Sequence, residues 1–242
     1  MVINDKVKSQ VWTERINKHL LTKSWENQAL AILKYFFPSL FSDLFVLDAP
    51  DIQDKKKIWG IEVVRVSFEH ESRLYSEIDQ YDESIRDGDK IKENKYQDKI
   101  LRDGGVFTKN GVRVPLTSTS VEEDRFEYSF RKKLAKLPDY KRQGFVNMGL
   151  FMFHNEIPLQ FTEPDDRMAW LNWIQNSYEE KYNWAFIVDW DNSKQLNRLT
   201  VINFQNNSLD IKYIPSSIIT DCVRYGRLAA EGGISADEPI WI

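Results

Sequence analysis

The chain has 242 residues, a formal net charge of −4 and 42 % hydrophobic residues. That apolar share supports a sizeable core and, with both charge signs mixed, excludes a disordered composition. The acidic balance argues against a protein that coats nucleic acid through bulk positive charge, but not against an enzyme that holds its basic residues locally.

The elements follow in chain order. Residues 8–36 read as helical, with Leu30, Leu33 and Phe37 at helical spacing and Pro38 ending the run. Residues 45–47 and 58–66 are rich in β-branched and aromatic side chains and read as strands. Residues 48–57 begin extended and end in a turn, short enough for a hairpin. Residues 69–103 are highly charged and helical, punctuated by Gly88 and Gly104. Residues 104–120 read as a loop or short hairpin. A helix over 121–137, closed by Pro138, comes next. Strands at 149–153, 184–189 and 199–204 follow, with a helix at 164–181 between the first two and a weaker strand at 208–214. This order predicts an α/β fold, a central mixed β-sheet flanked by helices. The whole chain, 1–242, reads as a single domain, with 69–120 a helical and loop elaboration of the core.

Cys222 is the single cysteine and cannot close an internal disulfide. With only His19, His70 and His154 beside it, no zinc-binding spacing arises. The N-terminus lacks an apolar core of signal-peptide length, and no stretch is apolar enough to span a bilayer. The expectation is a cytoplasmic protein with no membrane role. His154 reads as a loop residue just past a strand, His70 as part of a solvated helix start, and Cys222 as packing.

Three acids stand where apolar residues are expected. Glu62 lies inside an otherwise apolar strand, where a lone carboxylate is costly unless paired or metal-bound. Asp51 follows Pro50 at the end of the preceding extended segment, and a hairpin would bring both acids to one sheet edge. Glu26 shares a helical face with Leu30, Leu33 and Phe37, so it points inward. Oxygen-only ligands of this kind suit Mg²⁺ or Mn²⁺. Each acid also has a plainer reading. Glu26 can pair with a nearby lysine, Asp51 can be a turn residue after proline, and Glu62 can meet a lysine from a neighbouring element.

The order Glu26, Pro50-Asp51 and Glu62 resembles the PD-(D/E)XK nuclease superfamily over roughly residues 20–155. The resemblance implies a restriction-endonuclease-like core, a metal site at Asp51 and Glu62, and a nuclease acting on nucleic acid, with DNA as the expected polymer. It also implies a restriction, repair or phage-defence setting and, as for many relatives, a homodimer. One departure is plain: the lysine expected two residues after Glu62 is replaced by Val64, and Arg65 should face the other way. Some members supply this lysine from the following helix.

In the helix over 121–137, Phe126, Phe130, Leu134 and Leu137 form the apolar stripe. At about 100° per residue, Lys133 falls near the stripe's centre, Lys136 at its margin and Lys132 further out. Lys133 is the first candidate to replace the missing strand lysine and Lys136 the second. Snorkelling, with the amine reaching water, is the competing account of Lys133. A non-catalytic interaction module that keeps the nuclease-like fold is the alternative function. Val64 supports it, and aromatics such as Trp170, Trp173 and Trp184 could serve an interface or the core.

Overall fold

The structure, a computed structural model, describes residues 18–66, 69–102, 105–108, 111–113, 119–154, 164–191 and 196–232. The chain forms two compact units, Met1–Val46 with Ser217–Ile242, and Leu47–Ser216.

The smaller unit contains helix α1 (Lys18–Phe36), the one-turn helix α2 (Pro38–Phe41), the short strand β1 (Phe45–Val46) and nearly all of helix α8 (Ser216–Ala230). Pro38 does not merely end α1; it opens α2, where its missing N–H costs nothing. The sequence reading did not anticipate α8. Ile218, Ile219, Thr220 and Val223 are β-branched and Gly226 is a poor helix former, so local preference is weak there. The glycine has a packing reason: a Cβ on Gly226 would stand 2.5 Å from the Ser24 carbonyl oxygen on α1. Cys222 on α8 is fully buried, as packing requires, and burial pushes its thiol up to about 12, with Asp221 adding to the shift.

The larger unit is built on a mixed sheet. Its strands are β2 (Ile52–Gln53), β3 (Trp59–Arg65), β6 (Asn147–Phe153), β7 (Trp184–Asp191), β8 (Leu196–Asn203) and β9 (Ser208–Ile214), hydrogen-bonded in that order. β3, β6 and β7 run parallel, while β2 joins β3, β8 joins β7 and β9 joins β8 in antiparallel fashion. Parallel neighbours need long crossovers. The first crossover carries helices α3 (Glu69–Asp87), α4 (Lys90–Arg102), α5 (Thr119–Leu134) and α6 (Leu137–Arg142); the second carries α7 (Pro164–Gln175). A separate ribbon, β4 (Val106–Thr108) with β5 (Gly111–Arg113), lies between α4 and α5, within the segment expected to hold a loop or hairpin. The fold is therefore α/β with a mixed sheet flanked by helices, as expected. Among the described residues no helix is long and apolar enough to cross a membrane.

The near-continuous apolar runs of β3 and β6 follow from burial on both sheet faces. On one face Met148, Leu150 and Met152 of β6 and Ala185 and Ile187 of β7 meet Phe126, Phe130 and Leu134 of α5. Leu137, Leu171 and Ile174 complete that layer. Each fully buried large side chain contributes about 1.5–3 kcal/mol. The predicted stripe on α5 is thus the surface that seats the helix. Trp170 stacks on Phe126 at 5.6 Å and Trp184 packs against Trp59 at 5.9 Å, whereas Trp173 is 62 % exposed.

Two expectations change. The helix expected over 121–137 is two helices, because the first stops at Leu134 and Pro138 sits in the opening turn of α6. The helix expected over 164–181 ends at Gln175. His154 lies just past the end of β6, as expected, and is buried. Its N–H bonds the Val188 carbonyl at 2.8 Å, which extends the β6–β7 pairing, and its ring meets Phe126 edge-on.

A buried ionic centre ties α7 to the sheet. Arg167 donates to Asp189 at 2.5 Å, and Arg198 reaches both Asp189 oxygens at 3.0 Å. Burial would raise the Asp189 carboxyl, but Arg167 and Arg198 outweigh it and hold it below its ordinary 3.8. The stability it contributes is complete above pH 3.8 and is lost as the pH falls through the lower folded value. Asp189→Ala leaves two guanidiniums without this partner and should cost about 3–5 kcal/mol. Urea unfolding at pH 7 measures that loss, and the gap to the parent protein should narrow in strong acid.

Candidate functional site

The site begins at the β2–β3 hairpin. Asp54 holds the turn: its carboxylate accepts the Lys56 N–H at 2.7 Å and the Trp59 N–H at 2.6 Å. Gly60 then lets Pro50 lie against β3, since a Cβ there would come within 2.7 Å of the Pro50 ring and 2.8 Å of Met148 Sδ. The register pairs Ile52 with Ile61 and Gln53 with Gly60. Continued by one residue, it sets Asp51 beside Glu62. Asp51 accepts the Val63 N–H at 2.7 Å, which fixes its carboxylate at the strand.

Helix α5 brings the cation. Lys133 Nζ stands 2.5 Å from Glu62 Oε2 and 3.6 Å from Asp51 Oδ2. Glu62 lies at the centre of the cluster with 1 % of its side chain exposed, against 15 % for both partners. Lys133 does not snorkel to water; it turns inward to a carboxylate pair. Val64, on the same face of β3 as Glu62, packs against the apolar layer in the position where the strand lysine was sought.

Two tyrosines complete the cluster. The Tyr140 hydroxyl on α6 hydrogen-bonds Glu62. The buried Tyr182 hydroxyl donates to the Lys133 carbonyl at 3.1 Å, satisfying a backbone acceptor in the last turn of α5. Burial first, and then the negative charge of Glu62, push both phenols far above their ordinary 10, so they act as donors.

The ionisable groups report one shared condition. Burial and then Glu62 raise the Asp51 carboxyl, against the lowering effects of Lys133 and the Val63 N–H. For Lys133 burial works to lower the ammonium, but Glu62 and Asp51 outweigh it and raise it. Two carboxylates face the one Lys133 ammonium, at 2.5 and 3.6 Å.

Of the residues singled out in the sequence, the structure brings Asp51, Glu62 and Lys133 together. Lys136 is not brought in: α5 ends at Leu134, so helical spacing no longer places it, and its side chain is exposed at the α5–α6 joint. Glu26 belongs to the smaller unit, on α1, where it is buried and lies 3.2 Å from Lys23. Tyr140 and Tyr182 were missed. The available signal was weak: two tyrosines near element ends, with hydroxyls that burial obliges to find partners. Among the described residues, no three His, Cys, Asp or Glu side chains converge on one point.

Comparison with protein-family models, with curated proteins and with solved structures finds no match to this chain.

Two substitutions test the charge imbalance. Lys133→Met leaves Glu62 and Asp51 adjacent without their ammonium and should cost about 3 kcal/mol or more. Lys133→Met combined with Glu62→Gln should recover most of that loss. Asp51→Asn should act oppositely. Folding raises this carboxyl above 3.8, so the stability of its neutral form is present below that pH and lost as pH rises through the folded value. At pH 7 the neutral amide should therefore raise Tm, as thermal unfolding of the metal-free protein would show.

Proposed function

We propose that this chain is a metal-dependent phosphodiesterase of the PD-(D/E)XK kind, hydrolysing nucleic acid, with DNA as the expected substrate. The observation that carries the reading is Lys133 at 2.5 Å from Glu62, with Asp51 alongside at 3.6 Å. The lysine absent from position 64 is supplied by the helix that follows. Pattern and geometry thus point to one constellation.

Asp51 and Glu62 would hold the metal, Mg²⁺ or Mn²⁺. The donor set fits, being oxygen-only, with two carboxylates facing one ammonium. Mg²⁺ usually takes one or two carboxylates and fills its other positions with water and substrate phosphate, so two acids suffice. When bound, the metal polarises a phosphoryl oxygen and lowers the pKa of a bound water. The chain's own groups do the rest. Lys133 keeps its proton because Glu62 and Asp51 outweigh its burial. It can therefore orient the attacking water or stabilise charge developing on the phosphate. Tyr140 fixes Glu62, and the Tyr182 bond to the Lys133 carbonyl fixes the end of α5 that carries the ammonium.

The purified chain should nick supercoiled plasmid with Mn²⁺ or Mg²⁺. Glu62→Gln should abolish nicking and lower Mn²⁺ affinity measured by calorimetry. Lys133→Met should slow cleavage by roughly 10²–10³-fold, the usual effect of losing one electrostatic stabiliser. Nicking that persists in Glu62→Gln would sink the reading. A folded protein that binds Mn²⁺ but cleaves no nucleic acid would favour the interaction-module alternative.

A further inference from the structure

The net charge of −4 conceals a strongly basic edge on the larger unit. Lys55, Lys56 and Lys57 form the β2–β3 turn, and Lys136, Lys141 and Arg142 surround α6. These two segments are joined. The Val146 N–H bonds the Lys57 carbonyl at 3.0 Å and the Asn147 N–H bonds the Ile58 carbonyl at 2.9 Å. The Lys57 ammonium also crosses to the Gln143 carbonyl at 2.8 Å.

Several cations elsewhere among the described residues pair with carboxylates. Lys90 pairs with Glu93 at 2.6 Å, Arg131 with Glu127 at 2.6 Å and Lys212 with Asp210 at 2.8 Å. Among the described residues, the one cation of this edge with a carboxylate partner is Arg142, which meets Asp139. The Lys57 and Lys141 ammoniums are anchored by backbone carbonyls, Lys141 by that of Val146 at 3.0 Å. A carbonyl fixes an ammonium in place without neutralising it. Lys55, Lys56 and Lys136 are exposed. A solvated turn accounts for one such lysine, but not for two held in position with their charge uncompensated.

The edge also adjoins the cluster. Tyr140, which bonds Glu62, sits on α6 between Lys136 and Lys141, and Asp51 precedes β2 of the hairpin whose turn holds Lys55–Lys57. We infer that this edge, the β2–β3 turn with α6, carries the phosphodiester backbone of a nucleic acid and leads it to Asp51 and Glu62. The inference rests on the function proposed above, and it names which surface holds the polymer. Contacts of this kind position the backbone without reading its sequence. Binding should then fall steeply with salt, because each neutralised phosphate releases condensed counterions.

The test is binding of the full-length protein in EDTA, where metal-dependent cleavage is silent. Fluorescence anisotropy follows labelled 20-mer duplex DNA, single-stranded DNA and RNA between 50 and 200 mM salt. Lys55→Gln with Lys56→Gln should weaken binding by roughly tenfold at low salt and flatten the salt slope by about 2. Lys90→Gln with Lys92→Gln makes the same change in net charge on α4 and should leave affinity and slope unaltered. Equal weakening by both pairs would overturn the inference, since bulk charge alone would explain it. So would unchanged binding in Lys55→Gln with Lys56→Gln, no binding of any polymer by the parent protein, or stronger binding to anionic phosphatidylserine vesicles. The polymer that binds tightest identifies the substrate class. Cleavage separates the two claims. If the parent protein nicks plasmid while the Lys55–Lys56 variant binds normally, the surface is wrong and the function stands. If binding depends on Lys55 and Lys56 but nothing is ever cleaved, the surface stands and the nuclease reading falls.

Discussion

The contact between Lys133 and Glu62 is the constraint around which the larger unit is arranged. Glu62 lies within the most buried stretch of β3, where an unpaired carboxylate would cost several kcal/mol. Its compensation arrives 71 residues later, from the last turn of α5. The helix must therefore lie across the sheet at a fixed height. The apolar stripe of Phe126, Phe130 and Leu134 presses it against β6 and β7, while the ammonium fixes its register. Packing energy is tolerant of small slides; a 2.5 Å ion pair is not.

That contact is shared. Asp51 joins Glu62 at the same ammonium, and burial and then Glu62 raise the Asp51 carboxyl. The Arg167–Asp189–Arg198 centre is built the other way. There two guanidiniums serve one carboxylate, folding lowers the carboxyl, and the interaction stabilises. The two clusters use the same chemistry with opposite balance. One acts as a brace between α7 and the sheet. The other sets two carboxylates against one ammonium, and folding raises the Asp51 carboxyl.

Several parts of this arrangement were legible in the residues. The apolar runs of β3, β6 and β7 announced buried strands, because burial on both faces leaves no place for alternation. Glu62 was conspicuous for the same reason. The spacing of Phe126, Phe130 and Leu134 pointed Lys133 inward. Where local signals were weak or interrupted, the reading failed. β-Branched residues and Gly226 hide α8, and Pro138, which reads as a stop, opens α6, so the periodicity that places Lys136 has already ended.

The sequence by itself determined the buried strands of the sheet and the inward face of α5, since both follow from periodicity and the cost of burying charge. Only the tertiary structure decided which buried charges meet. Asp51, Glu62, Lys133 and Tyr140 span 90 residues of chain, and no local rule relates the end of α5 to the middle of β3. The sheet register, the seating of α5 and the closure of the β2–β3 hairpin on Gly60 set those distances together. The Lys57 and Lys141 anchors belong to the same category, because a backbone carbonyl that orients an ammonium leaves no trace in residue identity.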